Sequence, residues 1–424
     1  MDSSNSCQTI AIVDAYSTGN QLASLLADKG IRVIHIQSTE IIPDLLSGSF
    51  LSDTFDQNYV FSDDFEELVK HLKQQNPSHI VAGSETGILL ADRLSNTLSL
   101  QYCNSYALSE ARRDKFLMLE AIRKHGIHAA KQTKSSSLAE LKSFANNVKA
   151  WPLVLKPINS SSSDGLFFVN NLDELSRAIE KVLDQKNILG IVNDHVLLQE
   201  ALIGIQYIIN TVSFAGHHCV TDVWKMTVRH TDEIPMIIDA MELVDNNDPN
   251  FNSLITYTKN VLNALGIKNG PVHSEVMMTT SGPSLIEINA RLMGGNIDSC
   301  FKDALGGYTQ VDAFIDSLLN PDQLLSKYSD RYKLDTNLAE VDFVFYRSGI
   351  LSSFDKQQAI MSLASFHSFA KMPLIGTKVD KTADTTNRTG LLYLINKDQS
   401  QLHKDLELVL NWQLSDQLFT INES

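Results

Sequence analysis

Short apolar runs alternate with amphipathic stretches along the first hundred residues. The apolar runs fall at residues 9–14, 31–36, 59–61 and 79–82, and helix-like segments lie near residues 63–74 and 85–95. Apolar strands separated by helical patterns predict a parallel sheet with crossover helices. We therefore assign residues 1–105 to a Rossmann-like domain. The turn after its first strand lacks the GxGxxG pattern, so NAD binding is not predicted.

The rest of the chain mixes helix and strand patterns, which predicts an α+β organisation after the first α/β domain. Ser109 is predicted to cap a helix that runs to His125. The later predicted elements are strands at 153–157, 166–169, 196–201 and 206–212, helices at 172–186 and 251–265, strand-rich stretches at 218–229 and 271–291, and a last helix near 401–412.

The stretch 271–291 is predicted to be a hairpin with a Gly-containing loop. With a three-residue loop, Glu275 lies opposite Glu287 and His273 lies opposite Asn289, and all four side chains share one face. Directly opposed carboxylates repel each other. A divalent cation removes this repulsion, and two carboxylates with one amide suit Mg²⁺.

A solvated hairpin face is the alternative interpretation of this pattern. Leu285, Ile286 and Ile288 are apolar neighbours of the acidic positions, which indicates that the strand is buried on at least one face. Carboxylates in a buried strand need a partner, so we favour a metal site. Arg291 follows on the same predicted face and could bind phosphate or acyl oxygens bidentately.

A second group of candidates lies near a polar loop at residues 159–165. Lys156 ends the apolar strand before it, and backbone N–H groups and hydroxyls of such a loop can surround phosphate oxygens while the lysine supplies a charge. An ordinary turn and a lysine that reaches solvent are the alternatives. Lys115, taken alone, is typical of a solvated helix charge.

Polar residues also interrupt an apolar strand pair at residues 196–207. Backbone groups near Gln199 to Leu202 could bind an adenine edge, with Gln206 near the ribose. An edge strand gives the same pattern. Lys225, in an alternating stretch, is either a further phosphate contact or an exposed side chain.

Composition and charge narrow the class of protein. The chain has 424 residues and a formal net charge of -15, from 35 Lys and Arg against 50 Asp and Glu. This balance disfavours nucleic-acid and anionic-membrane partners, since no basic patch is evident. The four cysteines form neither a CxxC pair nor a dense disulfide framework. With no basic, apolar leader at the start of the chain, we predict a cytoplasmic location.

In their order and spacing, these segments resemble the ATP-grasp superfamily, and within it the ADP-forming carboxylate–amine ligases. The resemblance covers most of the chain: the Rossmann-like domain, RRDKFLM, LVLKP, the SSSSDG loop, QEALIGIQY and HSE…IEINARLMGG. VAGSETGILLADRL and the RLMGG continuation are similar to the L-amino-acid ligases that make dipeptides. The implied architecture is a Rossmann-like N-terminal domain (1–105), a linker helix region (106–135), and a two-lobed ATP-grasp fold with its small lobe at 136–204 and its large lobe, with a C-terminal subdomain, at 205–424.

The resemblance also implies roles for individual residues. Lys115 and Lys156 contact ATP phosphates, and Ser161, Ser162 and Ser163 form a mobile lid; Gln199, Glu200 and Leu202 line the adenine site, with Gln206 and Lys225 as further nucleotide contacts; Glu275, Glu287 and Asn289 bind Mg²⁺, with Mn²⁺ as the alternative ion. We predict Arg291, Lys156 and His273 as the catalytic residues. Relatives often have Glu in place of Gln206 and glycines in place of the lid serines.

The implied reaction is formation of an amide bond between a carboxylate and an amine, both small molecules of the amino-acid class, through an acyl phosphate with release of ADP and phosphate. A bicarbonate-activating carboxylase and a nucleotide-binding regulatory module are the alternatives. Glu85 could bind a substrate ammonium, but an acidic residue that only complements a helix dipole is favoured. Asn104 is undecided, and a homodimer is the default assembly.

Overall fold

The structure is a computed structural model. It describes residues 8–161, 163–231, 234, 236–295, 297–328, 331–383 and 390–422. Within these ranges no helix is both long and apolar enough to cross a bilayer.

A four-stranded parallel sheet forms the N-terminal part, as the apolar runs predict. Its elements are β1 (Thr9–Val13), α1 (Thr18–Ala27), β2 (Arg32–Gln37), α2 (Asp44–Ser47), β3 (Gln57–Val60), α3 (Phe65–Gln75), β4 (His79–Ala82) and α4 (Ile88–Thr97). The strand order is β3-β2-β1-β4. After β1 the chain adds β2 and β3 on one side of β1 and then returns to add β4 on the other side. Ligands of such sheets bind beyond the carboxyl ends of the two strands where the order reverses, which here are β1 and β4.

The loops after β1 and β4 pack together through glycine. A Cβ atom on Gly83 would lie 2.6 Å from Ala15 Cα, and one on Gly87 would lie 2.4 Å from Val13 O. Only a residue without a side chain fits at such distances. This contact brings the turn Glu85–Gly87 next to the end of β1.

The helix predicted from Ser109 to His125 is wrong at its start. Two short 3₁₀ turns, Tyr106–Leu108 and Glu110–Arg112, come first, and α5 spans Lys115–Lys124. Asp114 caps α5 by accepting hydrogen bonds from the backbone N–H groups of Phe116 and Leu117. Tertiary contacts explain the difference, because the hydroxyl of Ser109 donates to Asp92 and the fully buried Arg112 binds Asp92 and two backbone carbonyls.

A second, smaller sheet follows. Its elements are β5 (Gln132–Ser135), α6 (Leu138–Val148), β6 (Leu153–Pro157), β7 (Phe167–Val169), α7 (Leu172–Val182) and β8 (Val196–Glu200), in the strand order β5-β8-β6-β7. The predicted helix to residue 186 ends earlier, at Val182. The backbone of Asp184 and Gln185 pairs with Asn193 instead of continuing the helix.

The largest sheet has eight strands in the order β13-β12-β9-β10-β11-β14-β18-β16. The remaining elements are β9 (Gly204–Phe214), β10 (His217–Arg229), β11 (Ile237–Leu243), α8 (Phe251–Ala264), β12 (Gly270–Thr279), β13 (Gly282–Asn289), α9 (Ser299–Ala304), α10 (Gln310–Leu319), α11 (Pro321–Lys327), β14 (Asn337–Asp342), β15 (Gly349–Phe354), α12 (Gln357–Met361), β16 (Phe366–Lys371), β17 (Lys378–Val379), β18 (Leu391–Asn396), α13 (Gln399–Leu414) and β19 (Phe419–Asn422). Strands β17, β15 and β19 form a separate small sheet.

The β12–β13 hairpin has a different loop from the predicted one but the predicted pairing at its acidic end. Thr279 lies opposite Gly282, so the loop has two residues instead of three. An irregularity between Glu275 and Val276 leaves Ile286 without a partner, and this extra residue restores the expected register. Glu275 therefore lies opposite Glu287.

Candidate active site

A cavity of about 190 Å³ lies between the four-stranded sheet of β5–β8 and the eight-stranded sheet. It gathers most of the residues that the sequence singled out: Lys115, Lys156, Ser161, Ser163, Gln199, Glu200, Leu202, Gln206, Glu275 and Glu287. These residues come from α5, β6, β8, β9, β12, β13 and the loops between them. The fold thus brings together side chains that are up to 172 positions apart, Lys115 and Glu287 being the extremes.

Two lysines and two glutamates meet at one end of the cavity. Lys115 Nζ lies 2.7 Å from Glu287 Oε2 and donates a hydrogen bond to Ser160 O at 2.7 Å. Burial, and then repulsion by Lys115, lower the pKa of Lys156 to about 8. Burial opposes ionisation of Glu287, but Lys115 and Lys156 outweigh it and lower the pKa of this carboxyl. Neither lysine is the solvated charge that the alternative interpretation assumed.

The opposite end of the cavity is mostly apolar. Val154, Phe168, Leu202, Met226 and Ile238 line it. Gln199 on β8 is buried here, and its side-chain Nε2 has no hydrogen-bond partner. A buried amide without a partner is costly, so an incoming polar group, such as the edge of a nucleotide base, would satisfy it.

The polar loop between β6 and β7 closes one side of the cavity. Ser160 Oγ donates to Asp164 Oδ2 at 2.7 Å, and the same oxygen accepts from the backbone N–H of Ile188 at 2.9 Å. Ser163 Oγ donates to Met236 Sδ on the other lobe at 3.3 Å. Ser162 lies outside the described residues. These protein contacts hold the loop, in addition to any contacts that a bound ligand would make.

The predicted metal ligands converge on the β12–β13 hairpin. Asn289 Nδ2 donates to Glu287 Oε1 at 3.2 Å, and Gln206 Nε2 donates to Glu275 Oε2 at 2.8 Å. Gln206 thus bonds a carboxylate, although the sequence suggested a ribose contact. Two carboxylates and an amide oxygen are a donor set that fits a hard divalent cation. No group of three or more His, Cys, Asp or Glu in metal-binding geometry occurs in the described part of the chain, so the fit depends on the amide of Asn289.

Arg291 joins this site to the N-terminal sheet. Its Nη2 lies 2.8 Å from Glu85 Oε2, in the turn after β4. Glu85 is 8% exposed; burial opposes its ionisation, but Arg291 and Arg113 outweigh that effect and lower the pKa of Glu85. Arg113 also donates to Asn159 O at 3.2 Å. Glu85 also lies in the first turn of the short helix Glu85–Gly87, so the ion pair with Arg291 adds to the predicted helix-dipole interaction, and a role of Glu85 in substrate binding stays a prediction.

Sequence reasoning did not predict the ion pair of Glu85 with Arg291 and did not consider Arg113. The available signal was the position of Glu85 directly after a parallel strand, at the edge where ligands of such sheets bind. Nothing in the local pattern of Arg113 distinguishes it from a surface charge. Asn104, also undecided, accepts hydrogen bonds from the backbone of Lys268 and Asn269 and is a structural link.

The N-terminal part also holds the segment after Arg291. Thr18 Oγ1 donates to Met293 O at 2.7 Å and also contacts Gly295 O, while the side chain of Gln21 bonds the backbone of Ile297 through both its amide atoms. These contacts fix the loop that follows the β12–β13 hairpin.

Four predicted site residues lie outside the cavity lining: Asn289 and Arg291, described above, and Lys225 and His273. Lys225 on β10 lies opposite Tyr207 on β9 and Glu242 on β11, and it lines a neighbouring groove instead. His273 lies on β12, two residues before Glu275, with Nε2 3.5 Å from Glu275 Oε1 and Nδ1 3.0 Å from Asn210 Oδ1. It contacts Glu275, a candidate metal ligand, and does not line the cavity.

Comparison with known proteins agrees with this arrangement. A model of the ATP-grasp domain matches residues 149–300. The chain is 34% identical to Dapdiamide A synthase of Enterobacter agglomerans over 329 residues, which cover 76% of each chain, and 22% identical to an L-arginine-specific L-amino acid ligase of Bacillus subtilis over 81% of each. The crystal structure of an L-amino acid ligase from Bacillus licheniformis superposes with a TM-score of 0.71 at 15% identity and covers 98% of this chain and 99% of that one. The predicted two-lobed fold is confirmed, and the chain belongs to the ATP-grasp family of ligases, together with Dapdiamide A synthase and the L-amino acid ligases.

Proposed function

We propose that this protein joins a carboxylate to an amine, both of the amino-acid class, in an ATP-dependent reaction that passes through an acyl phosphate and releases ADP and phosphate. The observation that carries the proposal is the cavity itself. It has an apolar end with an unpartnered Gln199 amide and a charged end where Lys115 lies 2.7 Å from Glu287, beside the buried Lys156. A nucleotide base fits the first end, and a polyphosphate fits the second.

In this proposal the two lysines bind the phosphates of ATP, and Ser161, Ser162 and Ser163 cover them. Gln199, Glu200 and Leu202 contact the base, with Gln206 and Lys225 as further predicted contacts. Positive groups placed before reaction where phosphoryl charge will develop stabilise the transition state without reorganisation. Enclosure of the phosphates by the loop excludes water, which would otherwise hydrolyse the acyl phosphate.

Glu275, Glu287 and Asn289 would hold the divalent ion, for which we propose Mg²⁺ with Mn²⁺ as the alternative. When bound, such an ion neutralises charge on the phosphates. In the structure Lys115 pairs with Glu287, and the neutral amide of Gln206 donates a hydrogen bond to Glu275. We expect these two side chains to shift toward nucleotide oxygens when the ion binds the two glutamates.

Arg291 and Glu85 are proposed to hold the carboxylate substrate. Their ion pair places one positive and one negative group 2.8 Å apart. These two groups are complementary to the carboxylate and the ammonium group of an α-amino acid. Arg291 would bind carboxylate and later acyl-phosphate oxygens, and Glu85 would bind the ammonium. The nearby Arg113 adds a second positive charge beside Glu85, which favours an anionic group at the reacting centre.

The remaining sequence predictions stay proposals. These are the domain boundaries at 105, 135 and 204, the cytoplasmic location and the homodimer. In the described part of the chain, Cys103 and Cys300 are free thiols, which is compatible with a reducing compartment.

Nucleotide analysis tests the function directly. We expect ADP and phosphate from ATP only when an amino acid and an amine are both present with the divalent ion. A carboxylate substrate labelled with ¹⁸O should transfer one labelled oxygen to the released phosphate, because the carboxylate oxygen that attacks the γ-phosphate leaves with it. AMP and pyrophosphate, with the label in AMP, would contradict the proposal. ADP release that needs bicarbonate would identify a carboxylase, and no ADP release under any condition would identify a binding module.

A further inference from the structure

A hydrogen-bonded cluster of four side chains joins three strand ends at the carboxyl edge of the N-terminal sheet. Its members are Asp14 after β1, Ser38 after β2, and Ser84 and Thr86 after β4. Asp14 is 1% exposed and Ser84 is 5% exposed. This is the edge where ligands of such sheets bind. Glu85 lies between Ser84 and Thr86 in the chain, so the cluster flanks it on both sides.

Asp14 is the centre of the cluster. Its Oδ1 accepts a hydrogen bond from the backbone N–H of Ser38 at 2.7 Å, and its Oδ2 accepts from the hydroxyls of Ser38 at 2.5 Å and Thr86 at 2.6 Å. Because the hydroxyl proton of Thr86 goes to Asp14, the hydroxyl of Ser84, 2.9 Å away, donates to Thr86 Oγ1. Each group in the cluster therefore has a consistent role as donor or acceptor.

The side chain of Glu85 points away from the cluster. Its Oε2 lies 2.8 Å from Arg291 Nη2, whereas the hydroxyl of Thr86, the next residue, faces Asp14. The glycine contacts described above fix the distance between the backbone of this turn and that of β1. The turn cannot rotate without breaking the bond between Asp14 and Thr86. The direction in which Glu85 points thus depends on that bond.

We propose that Asp14 and Thr86 are positioning residues of the substrate site: Asp14 holds Thr86, and Thr86 holds the turn so that the carboxylate of Glu85 faces the substrate ammonium. The inference rests on the proposed function, in which Glu85 binds that ammonium. In this proposal both positioning residues act through Glu85 and do not touch the substrate.

The energetic cost of Asp14 supports this role over general stabilisation of the sheet. A buried carboxylate costs free energy that an apolar residue would not. Asp14 also has a φ angle of 54°, a left-handed conformation that is unfavourable for a residue with a side chain. Such backbone strain clusters at ligand-binding and active sites. A turn that only connects a strand to a helix needs neither feature, whereas a carboxylate directed at a ligand needs fixed neighbours.

ADP release with hydroxylamine as the amine tests the inference, because hydroxylamine traps an acyl phosphate and only the carboxylate substrate varies. The amino acid is the standard L-amino acid that gives the fastest release with the wild type. Thr86→Val keeps the shape of the side chain and removes the hydroxyl. We expect the KM for that amino acid to rise about 10-fold. The kcat and the KM for ATP should stay nearly unchanged, because the ammonium does not react and its contact is the same in the ground and transition states.

Two further variants separate positioning from stability. Thr86→Ser keeps the hydroxyl and should restore the KM for the amino acid. Glu85→Gln should raise the same KM, and adding Thr86→Val to it should cause no further rise, because Thr86 acts through the charge of Glu85. A purely structural role of Thr86 would instead make the two effects multiply.

Thr39→Val is the matched control. It removes another threonine hydroxyl at the same edge of the sheet, one that donates to Ile41 O at 2.8 Å outside the cluster, so all kinetic constants should equal those of the wild type. Melting temperatures of all variants report any loss of stability. If Thr86→Val does not fold, Ser38→Ala replaces it, since it removes one hydroxyl from Asp14 and keeps the backbone bond.

Four results would overturn the inference: an unchanged KM in the folded cluster variant, effects that multiply with Glu85→Gln, no restoration by Thr86→Ser, or failure of both Thr86→Val and Ser38→Ala to fold. The last would show that the cluster serves the sheet. Failure of the proposed function has a different signature, namely a wild-type protein that binds ATP but releases no ADP with any amino acid. Glu85 would then have no ammonium to bind, and the inference would fall as well.

Discussion

Lys156 is a buried amine whose environment disfavours its charged form. Its pKa falls from 10.5 to about 8, through burial and then through the nearby Lys115, and this difference corresponds to roughly 3 kcal/mol. Between about pH 8 and pH 10.5 the unfolded chain therefore binds more protons than the folded protein, so the free energy of unfolding rises with pH in this window. Below pH 8 both states are protonated and the destabilisation is complete.

Lys156→Met should remove this pH dependence. We expect the variant to be more stable than the nucleotide-free wild type at pH 7, and the difference to shrink as the pH rises from 8 to 10. The same variant should bind ATP more weakly, because a phosphate contact is lost. Thermal unfolding from pH 7 to 10 measures the first effect, with the exposed Lys29→Met as control. Parallel curves for wild type and Lys156→Met would contradict the prediction.

The negative charge of Glu287 is compensated by two nearby lysines, Lys115 and Lys156. The sequence suggested only repulsion between opposed glutamates, which Glu287→Gln would relieve at no cost. The structure shows Lys115 2.7 Å from Glu287, so the substitution leaves buried ammonium groups without their partner. We expect turnover to fall by at least about 100-fold and the free energy of unfolding to fall by about 2 kcal/mol. Near-normal ADP release from Glu287→Gln would rule out Glu287 as a ligand.

The hairpin and the polar loop show what a local pattern does and does not predict about an element. Alternation in β12 and β13 predicted that Glu275 faces Glu287, and the structure confirms it. The loop length and the unpaired Ile286 were not predicted. The pairing is still correct because these two errors, of one residue each, cancel in the register. Ser109 looked like a helix cap, but its hydroxyl bonds Asp92, a contact that local sequence does not encode.

The polar loop should respond to nucleotide even though Asp164 anchors it. Contacts of Asp164 with Ser160 and Ile188 hold its base, while Ser161 lines the cavity. We expect the amides of Ser161 and Ser163 to exchange hydrogen more slowly with ATP and Mg²⁺ bound. Asp164→Asn should speed exchange in the free protein and leave the protection by ATP in place. Equal exchange with and without ATP would show that residues 159–165 are an ordinary turn.

The whole molecule assembles the candidate site from three parts of the chain. The parallel sheet supplies Glu85, α5 and the small sheet supply the lysines, and the hairpin supplies the carboxylates and Arg291. Sequence patterns predicted each of these parts and the candidate residues within it, because the helices and strands of each part have their own periodicity. The contacts between parts, such as Arg291 with Glu85 or Gln206 with Glu275, depend on how the parts pack and carried no local signal.

The close packing of glycines in the N-terminal sheet gives a test of this assembly. A Cβ on Gly83 would lie 2.6 Å from Ala15 Cα and 2.7 Å from Asp14 O, both backbone atoms that have little freedom to move. Gly83→Ala should therefore push the turn after β4 away from β1 and move Glu85 relative to Arg291. We expect the KM for the carboxylate substrate to rise by about 10-fold or more, with a smaller change in the KM for ATP, because the nucleotide cavity is lined by other elements.

Gly48→Ala is the matched control for this prediction, because no atom beyond its neighbours along the chain lies within 4 Å of the Cβ it would add. It should leave both KM values unchanged. Glu85→Gln provides the comparison at the site, since it keeps the shape of the side chain and removes the charge without moving the turn. If Glu85 binds the substrate ammonium, Gly83→Ala and Glu85→Gln should raise the same KM and spare the other. A rise in the KM for ATP alone would show instead that the N-terminal sheet supports the nucleotide cavity and takes no part in holding the carboxylate substrate.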